Sequence, residues 1–306
     1  MVDRRAGGAG GAGGAGGPAV VALGGGHGLA TALRAIRRYA GSITAVVSVA
    51  DDGGSSGRLR RDLGVAPPGD IRRCLVALAS EGSVWSSAFE HRFREGDLEG
   101  HALGNLVLVG LAETLGSFPD ALDEAGRLLG AVGRVLPATL EPVVLKAELT
   151  SEVVEGQVAV ANSEGIRRLE LVPVDVAATP DAVDAIATAD QVVYAPGSLY
   201  TSVLPVLCVA GLRDAIATSP ARVVQVANLR PQVPETAGMG VADHLDAVLA
   251  HGARVDTFLY DTGGGLAMDR VRLEALGVET IGAPVARPSG LAHDPEQLAL
   301  ALCALL

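Results

Sequence analysis

From residue 18 onward, short runs of β-branched residues alternate with longer Ala- and Leu-rich stretches whose apolar positions recur every three or four residues. The first kind of run reads as strand and the second as amphipathic helix. The pattern predicts a strand at Ala19–Leu23, a helix at Leu29–Tyr39, a strand at Ile43–Ala50 and a helix at Ile71–Ala79, with Ile71, Cys74, Leu75 and Leu78 on one face. Leu103–Leu115 reads as another apolar helix, whereas Glu141–Leu171 breaks into short strands and hairpins. The alternation resumes with a strand at Gln191–Tyr194, a helix near Ser202–Ala210, a strand at Arg222–Ala227, a helix at Val241–His251 and a strand at Val255–Tyr260. This order predicts an α/β fold, a doubly wound, mostly parallel, Rossmann-like sheet with a strand-rich insertion at about 135–175. One domain is expected over 18–306, behind a Gly/Ala-rich leader at 1–17. Its AGGAGGAGGAGG tract cannot bury enough surface to offset its backbone entropy, so the leader is expected to be flexible.

Composition narrows the class. The chain of 306 residues is 49% hydrophobic yet only 3% aromatic, so its core is built from Val, Leu and Ala, as in parallel strands under Ala-rich helices. With 24 basic and 35 acidic residues the formal charge is −11, which argues against general nucleic-acid or membrane binding. Any phosphate must be gripped locally. Cys74, Cys208 and Cys303 lie far apart without a C-x-x-C, which suits neither a disulfide framework nor zinc. No signal-peptide h-region or membrane-length apolar run is visible, so a soluble, cytoplasmic protein is expected.

Open parallel sheets bind ligands beyond the carboxyl ends of their strands, so the strand-to-helix loops are the places to look. Gly24-Gly25-Gly26-His27-Gly28 follows a strand and opens a helix, where bare backbone and free N–H groups suit a phosphate; otherwise it is a tight turn. It is neither a clean G-x-G-x-x-G nor a Walker A. The next loop, VADDGGSSGRLR, offers Asp51 and Asp52 for a ribose or a divalent cation. Gly53, Gly54, Ser55, Ser56 and Arg58 stand ready for phosphate oxygens, unless the stretch is a solvated turn. A third loop, YAPGSLYTSVLP, places Gly197 and Ser198 before further hydroxyls at Thr201 and Ser202, some of which suit helix capping equally well.

Other residues divide between structure and chemistry. Asp70 stands where a helix N-cap belongs, and with Arg at position 73 there is no capping box. Asn105 suits either a local Asx bond or reading of a base or sugar. No H-E-x-x-H spacing exists, and lone histidines such as His91 and His293 read as surface or packed residues. The Gly-rich Asp261–Gly265 reads as a simple turn.

Taken in order, GGGHGL, VSVADDGGSSGRLR, PPGDIRRCLVALA, GHALGNL, APGSLYTSVLP and ETAG followed by DHL resemble the YvcK-like gluconeogenesis factor family, within the superfamily of the phospholactate transferase CofD. The resemblance runs from about Ala19 to the last predicted strand. It implies a UDP-sugar-binding protein of the UDP-N-acetylglucosamine type, needed for cell shape, cell-wall synthesis and growth on gluconeogenic carbon. A homo-oligomer and a protein partner in cell-wall synthesis are compatible with it. Carried onto this chain, it assigns Gly24–Gly28 to the diphosphate and Asp51, Asp52, Ser55, Ser56 and Arg58 to the nucleotide region. Asn105, Gly197 and Ser198 then lie across the cleft. Two positions depart from the family pattern: His27 replaces Thr, and Pro231–Thr236 carries Pro234 where glycine is usual, putting ligand contact by that loop in doubt.

Two classes of function follow. One is a nucleotide-sugar-binding regulator without a bound cofactor. The other is a magnesium-dependent transferase moving a phospholactyl group from a nucleotide diphosphate donor to a deazaflavin, in which Asp51 and Asp52 hold the cation.

Overall fold

A computed structural model describes residues 16–306, so residues 1–15 of the flexible leader expected at 1–17 lie outside the described residues. The chain opens with β1 (Ala19–Gly24), α1 (Gly26–Ile36), β2 (Ser42–Val47), α2 (Gly54–Leu63) and α3 (Gly69–Leu78). Then come α4 (Val84–Glu90), α5 (Leu103–Leu115), α6 (Phe118–Leu129) and β3 (Arg134–Pro137). A small middle unit follows with β4 (Val144–Glu148), β5 (Val153–Glu155), α7 (Gln157–Ala161) and β6 (Arg168–Val172). After α8 (Pro180–Ala187) and β7 (Gln191–Tyr194), a wide helical turn (Leu199–Val203) runs into α9 (Leu204–Leu207) and α10 (Ala210–Thr218). The chain finishes with β8 (Arg222–Val226), α11 (Val241–Ala250), β9 (Thr257–Asp261), α12 (Arg270–Ala275), β10 (Glu279–Ala283) and α13 (Pro295–Cys303).

Seven strands form one sheet in the order β10-β9-β8-β7-β1-β2-β3, and every pairing in it is parallel. Its central strands are near-continuous runs of buried Val, Leu and Ala, as the aromatic-poor composition requires of a sheet covered by helices on both faces. Helix α3 packs on α1 with Ile71, Cys74, Leu75 and Leu78 all at or below 1% exposure, the face read from their spacing. Strand order places β1 between β2 and β7: the chain winds outward through β2 and β3, then returns to wind the other way from β7. The crevice beyond the ends of β1 and β7 is the topological switch point, where such sheets hold their ligands.

The structure corrects the element reading at Gly54–Leu63, in the insertion and beyond the last predicted strand. Gly54–Leu63 is a helix rather than a loop; with apolar side chains only at Leu59 and Leu63 it has almost no stripe, and Gly64, at φ +68°, ends it in the left-handed region. The insertion starts later than 135, because Arg134–Pro137 is the edge strand of the main sheet, paired with β2. What remains is a three-stranded antiparallel sheet, β5-β4-β6, carrying the short helix α7. A further strand, β10, lies beyond the last one predicted. Among the described residues no single helix is long and apolar enough to cross a membrane.

Candidate functional site

The glycine run is bare because backbone meets backbone there. Gly24 and Gly26 adopt φ of +145° and +63°, which favour residues without a Cβ. Gly28 is helical, but a Cβ on it would lie 1.7 Å from the Pro196 carbonyl oxygen, so the loops after β1 and β7 touch at the switch point. The first turn of α1 leaves N–H groups free of intrahelical partners, and α1 has no side-chain cap of its own. Asp70, from α3, supplies one acceptor: its Oδ2 takes the Gly26 N–H at 2.8 Å while Oδ1 pairs with Arg73 at 2.6 Å. Asp70 is therefore not the cap of its own helix, where Pro68 holds that position. It braces the glycine loop from outside.

The loop after β7 is held in the same way. Asn228, just past β8, clasps the Gly197 peptide at both ends, accepting its N–H at 2.8 Å and donating to its carbonyl at 2.7 Å. Ser198 caps the wide turn, accepting from the Thr201 N–H at 3.2 Å. Its hydroxyl faces the carboxylate of Glu235 at 2.6–2.7 Å, and Glu235 also accepts the Tyr200 N–H. Burial pushes the Glu235 carboxyl upward against these hydrogen bonds. The capping role open in the sequence is thus the one Ser198 fills, and the departing Pro231–Thr236 loop acts from beneath through Glu235.

The acidic loop is divided. Asp51 is half-buried, accepts the Gly53 N–H at 3.0 Å and is shifted upward, chiefly by burial. Asp52 turns to the insertion, where its two oxygens accept the Gln157 and Val158 N–H groups at 2.9 and 3.0 Å and so close the N-terminus of α7. The two acids therefore engage different partners. Ser56 accepts the Gly69 N–H at 3.0 Å, fixing the start of α3, and Ser55 receives the Asn105 amide N–H at 3.0 Å with His101 at 3.1 Å. Asn105 is 2% exposed and its Oδ1 has no hydrogen-bond partner. Arg58 donates to the Glu99 carbonyl at 2.8 Å, directed at the 93–101 segment rather than at the glycine run. Gly53 stands at the N-cap of α2 and Gly54 adopts φ +50°.

At the switch point lies a cavity of about 230 Å³, with His27, Gly28 and Thr31 on one side and Pro196, Gly197 and Asn228 on another. Arg230, Gln232 and His293 complete its wall. His27 is exposed there and shifted downward, first by partial burial and then by Arg73. His293 is 7% exposed, its Nε2 has no partner, and burial lowers it to about 4. It is a packed imidazole, as read from the sequence, in the wall of the crevice. Glu235, Asn228, Arg230 and His293 were not singled out from sequence as site residues; the signal for Asn228 was its place directly after a buried strand, and the rest had none.

A wholly parallel, doubly wound sheet with glycine loops meeting at its switch point defines the class, a Rossmann-like α/β protein. The family model described as 2-phospho-L-lactate transferase CofD matches residues 20–285. A Mycobacterium leprae relative is 45% identical over 305 residues, 93% of this chain and 85% of that one. The Bacillus subtilis gluconeogenesis factor is 36% identical over 311 residues, 94% of this chain and 98% of that one. A crystal structure of a Bacillus halodurans protein superposes with a TM-score of 0.89 at 38% identity, covering 93% of this chain and 98% of that one. The chain belongs to the CofD family, among the YvcK-like gluconeogenesis factors.

Proposed function

We propose that the protein binds a nucleotide sugar of the UDP-N-acetylglucosamine type at the switch-point crevice and acts as a cytoplasmic regulator of cell shape, cell-wall synthesis and growth on gluconeogenic carbon. The observation that carries the reading is the meeting of Gly28 with Pro196 and Gly197 at the N-terminus of α1, beside a cavity lined by Arg230 and His27. Backbone this bare lets a diphosphate lie against N–H groups and the positive end of the helix, and the arginine adds a fork for its oxygens. The family resemblance supplies the uridine and the sugar.

The transferase reading rests on the description of the matching family model. Its magnesium would need carboxylates gathered at the nucleotide. Asp52 has both oxygens engaged by α7, Asp70 has both engaged by Gly26 and Arg73, and among the described residues no three His, Cys, Asp or Glu side chains form a metal-holding group. Of the acidic pair only Asp51, whose hydrogen bond to Gly53 uses one oxygen, is left to meet a cation carried in by a diphosphate, and this thin donor set favours the regulator.

Calorimetric titration with UDP-N-acetylglucosamine, UDP and GDP, with and without magnesium, followed by chromatography of the recovered ligand, tests the choice. Magnesium-indifferent binding with the UDP-sugar returned intact is expected. Ligand consumed only with magnesium, or no binding, overturns the regulator reading.

A further inference from the structure

A second concave site lies where the small sheet meets the helices behind it, sharing no lining residue with the switch-point crevice. It is a cavity of about 630 Å³ between β6 and the α9–α10 and α11 segments. Arg167, Arg168 and Arg213 line it, together with Glu170, Cys208 and His251. Glu170 is already paired with Lys146 at 2.8 Å, and among the described residues none of the three guanidiniums forms a salt bridge. In a chain of formal charge −11, a hollow lined by three arginines and a single acid, itself paired with Lys146, is locally basic. Like charge held in a concavity focuses the field and raises the local concentration of counter-ions.

The walls are preformed. β6 is the edge of its sheet, and its Leu169 peptide is closed off by the helices: His251 Nε2 accepts the Leu169 N–H at 3.1 Å, and the Cys208 thiol lies 3.5 Å from the Leu169 carbonyl oxygen. His251 Nδ1 is in turn held by the Ala247 carbonyl at 2.7 Å. Edge, histidine and thiol therefore make a wall with its polar groups satisfied, and the three arginines line the same cavity, Arg213 donating to the Leu207 carbonyl at 3.4 Å. Arg167 and Arg168 come from the insertion and Arg213 from α10, so an occupant held by all three would bridge two parts of the chain.

We propose that this groove is an anion-binding site, distinct from the nucleotide-sugar crevice, that takes a compact phosphorylated small molecule. Guanidinium forks match phosphate oxygens two at a time, and a cavity of about 630 Å³ is of small-molecule size. The inference does not depend on what the crevice binds.

The test titrates the full chain with inorganic pyrophosphate and follows backbone hydrogen exchange by mass spectrometry. Slowed exchange in 166–171 together with 208–213 is expected, because the anion ties both walls. The exposed Arg167→Gln, Arg168→Gln double variant should lose at least about tenfold in affinity at this site and its protection there, since each guanidinium removes charge-assisted hydrogen bonds. Arg213→Gln should do the same, and a melting curve matching the parent's shows that the fold is intact. UDP-N-acetylglucosamine titrated into the double variant should bind as it does to the parent, which separates this site from the crevice. Protection confined to Gly24–Gly28 and Gly197, or a double variant that holds pyrophosphate as the parent does, overturns the proposal.

Discussion

Gly28→Ala isolates the contact on which the site rests. Gly28 is the third residue of α1 and has ordinary helical backbone, so alanine costs nothing in conformation and by helix propensity should add up to about 1 kcal/mol of stability. The new methyl would sit 1.7 Å from the Pro196 carbonyl oxygen, 2.5 Å from its carbon and 3.0 Å from the Gly197 Cα, all of them backbone. No side chain can swing aside. To reach an ordinary contact of roughly 3.2 Å the two loops must part by about 1.5 Å, an overpacking defect of about 1–3 kcal/mol that exceeds the propensity gain. A net loss of about 1 kcal/mol in a chain of 306 residues, with unfolding entropy of about 2.1 cal/mol/K per residue, lowers Tm by about 1.5 °C. Gly110→Ala is the matched control: it lies mid-α5, is exposed, and a Cβ there meets nothing within 4 Å, so it should raise Tm by about 1–2 °C. Scanning calorimetry of both variants reads the sign, and titration with UDP-N-acetylglucosamine should show Gly28→Ala at least about tenfold weaker. If Gly28→Ala stabilises as Gly110→Ala does, the loops are not in backbone contact and the crevice argument fails.

Other consequences follow from named contacts. Asp52→Ala removes both acceptors at the N-terminus of α7 and should speed hydrogen exchange in 157–161 while lowering stability by about 1–2 kcal/mol, as other lost helix caps do. Asp70→Ala strips the external acceptor from the Gly26 N–H and orphans Arg73; a loss of about 2 kcal/mol in denaturant unfolding, with weaker nucleotide-sugar binding, is expected. His293 titrates near 6.5 when unfolded and about 4 when folded. Because the folded form resists the proton, its contribution is intact above pH 6.5 and is lost as pH falls toward 4, by about 3 kcal/mol at most. Urea midpoints at pH 7 and pH 4.5 should therefore fall further for the parent than for His293→Asn; equal falls contradict the burial assigned to that ring.

The sheet was legible because its strands are nearly pure Val, Leu and Ala, and two of the predicted elements, Leu103–Leu115 and Gln191–Tyr194, match the structure end to end. What stayed hidden had weak patterns for physical reasons. Helix α2 starts in Gly-Ser-Ser-Gly, a turn composition, and is kept helical by its surroundings: a Cβ on Gly57 would lie 1.9 Å from the Asp52 carbonyl oxygen, and Ser56 is tied to Gly69. The insertion boundary was misplaced because β3 has only four residues and ends in proline, which suits the edge it occupies. In the site, glycine positions could be read, since bare backbone leaves a trace in the sequence. Glu235 and His293 could not, because the partners of Glu235 lie 35 and 37 residues away and the chemistry of both exists only once β7 and the segments after β8 and β10 are side by side.

The polar motifs turn out to act mainly on backbone. Asp70 holds the Gly26 amide, Ser56 the Gly69 amide, Asp52 the first turn of α7, Ser198 the Thr201 amide, and Glu235 the Tyr200 amide. Residues used this way shape the loops around the crevice, so altering them should lower stability and weaken binding of every nucleotide alike. The side chains that line the cavity without such duties, His27, Arg230 and Gln232, come from the first helix and from the segment after β8. Discrimination among ligands must come from groups that meet the ligand, because a difference in affinity requires a difference in contact. Substitutions in this second set should therefore change the ratio of UDP-N-acetylglucosamine to UDP and GDP affinities with little change in Tm. That division between scaffolding and reading residues is what the arrangement of hydrogen bonds requires, and a motif residue such as Ser56 that altered nucleotide preference without altering stability would break it.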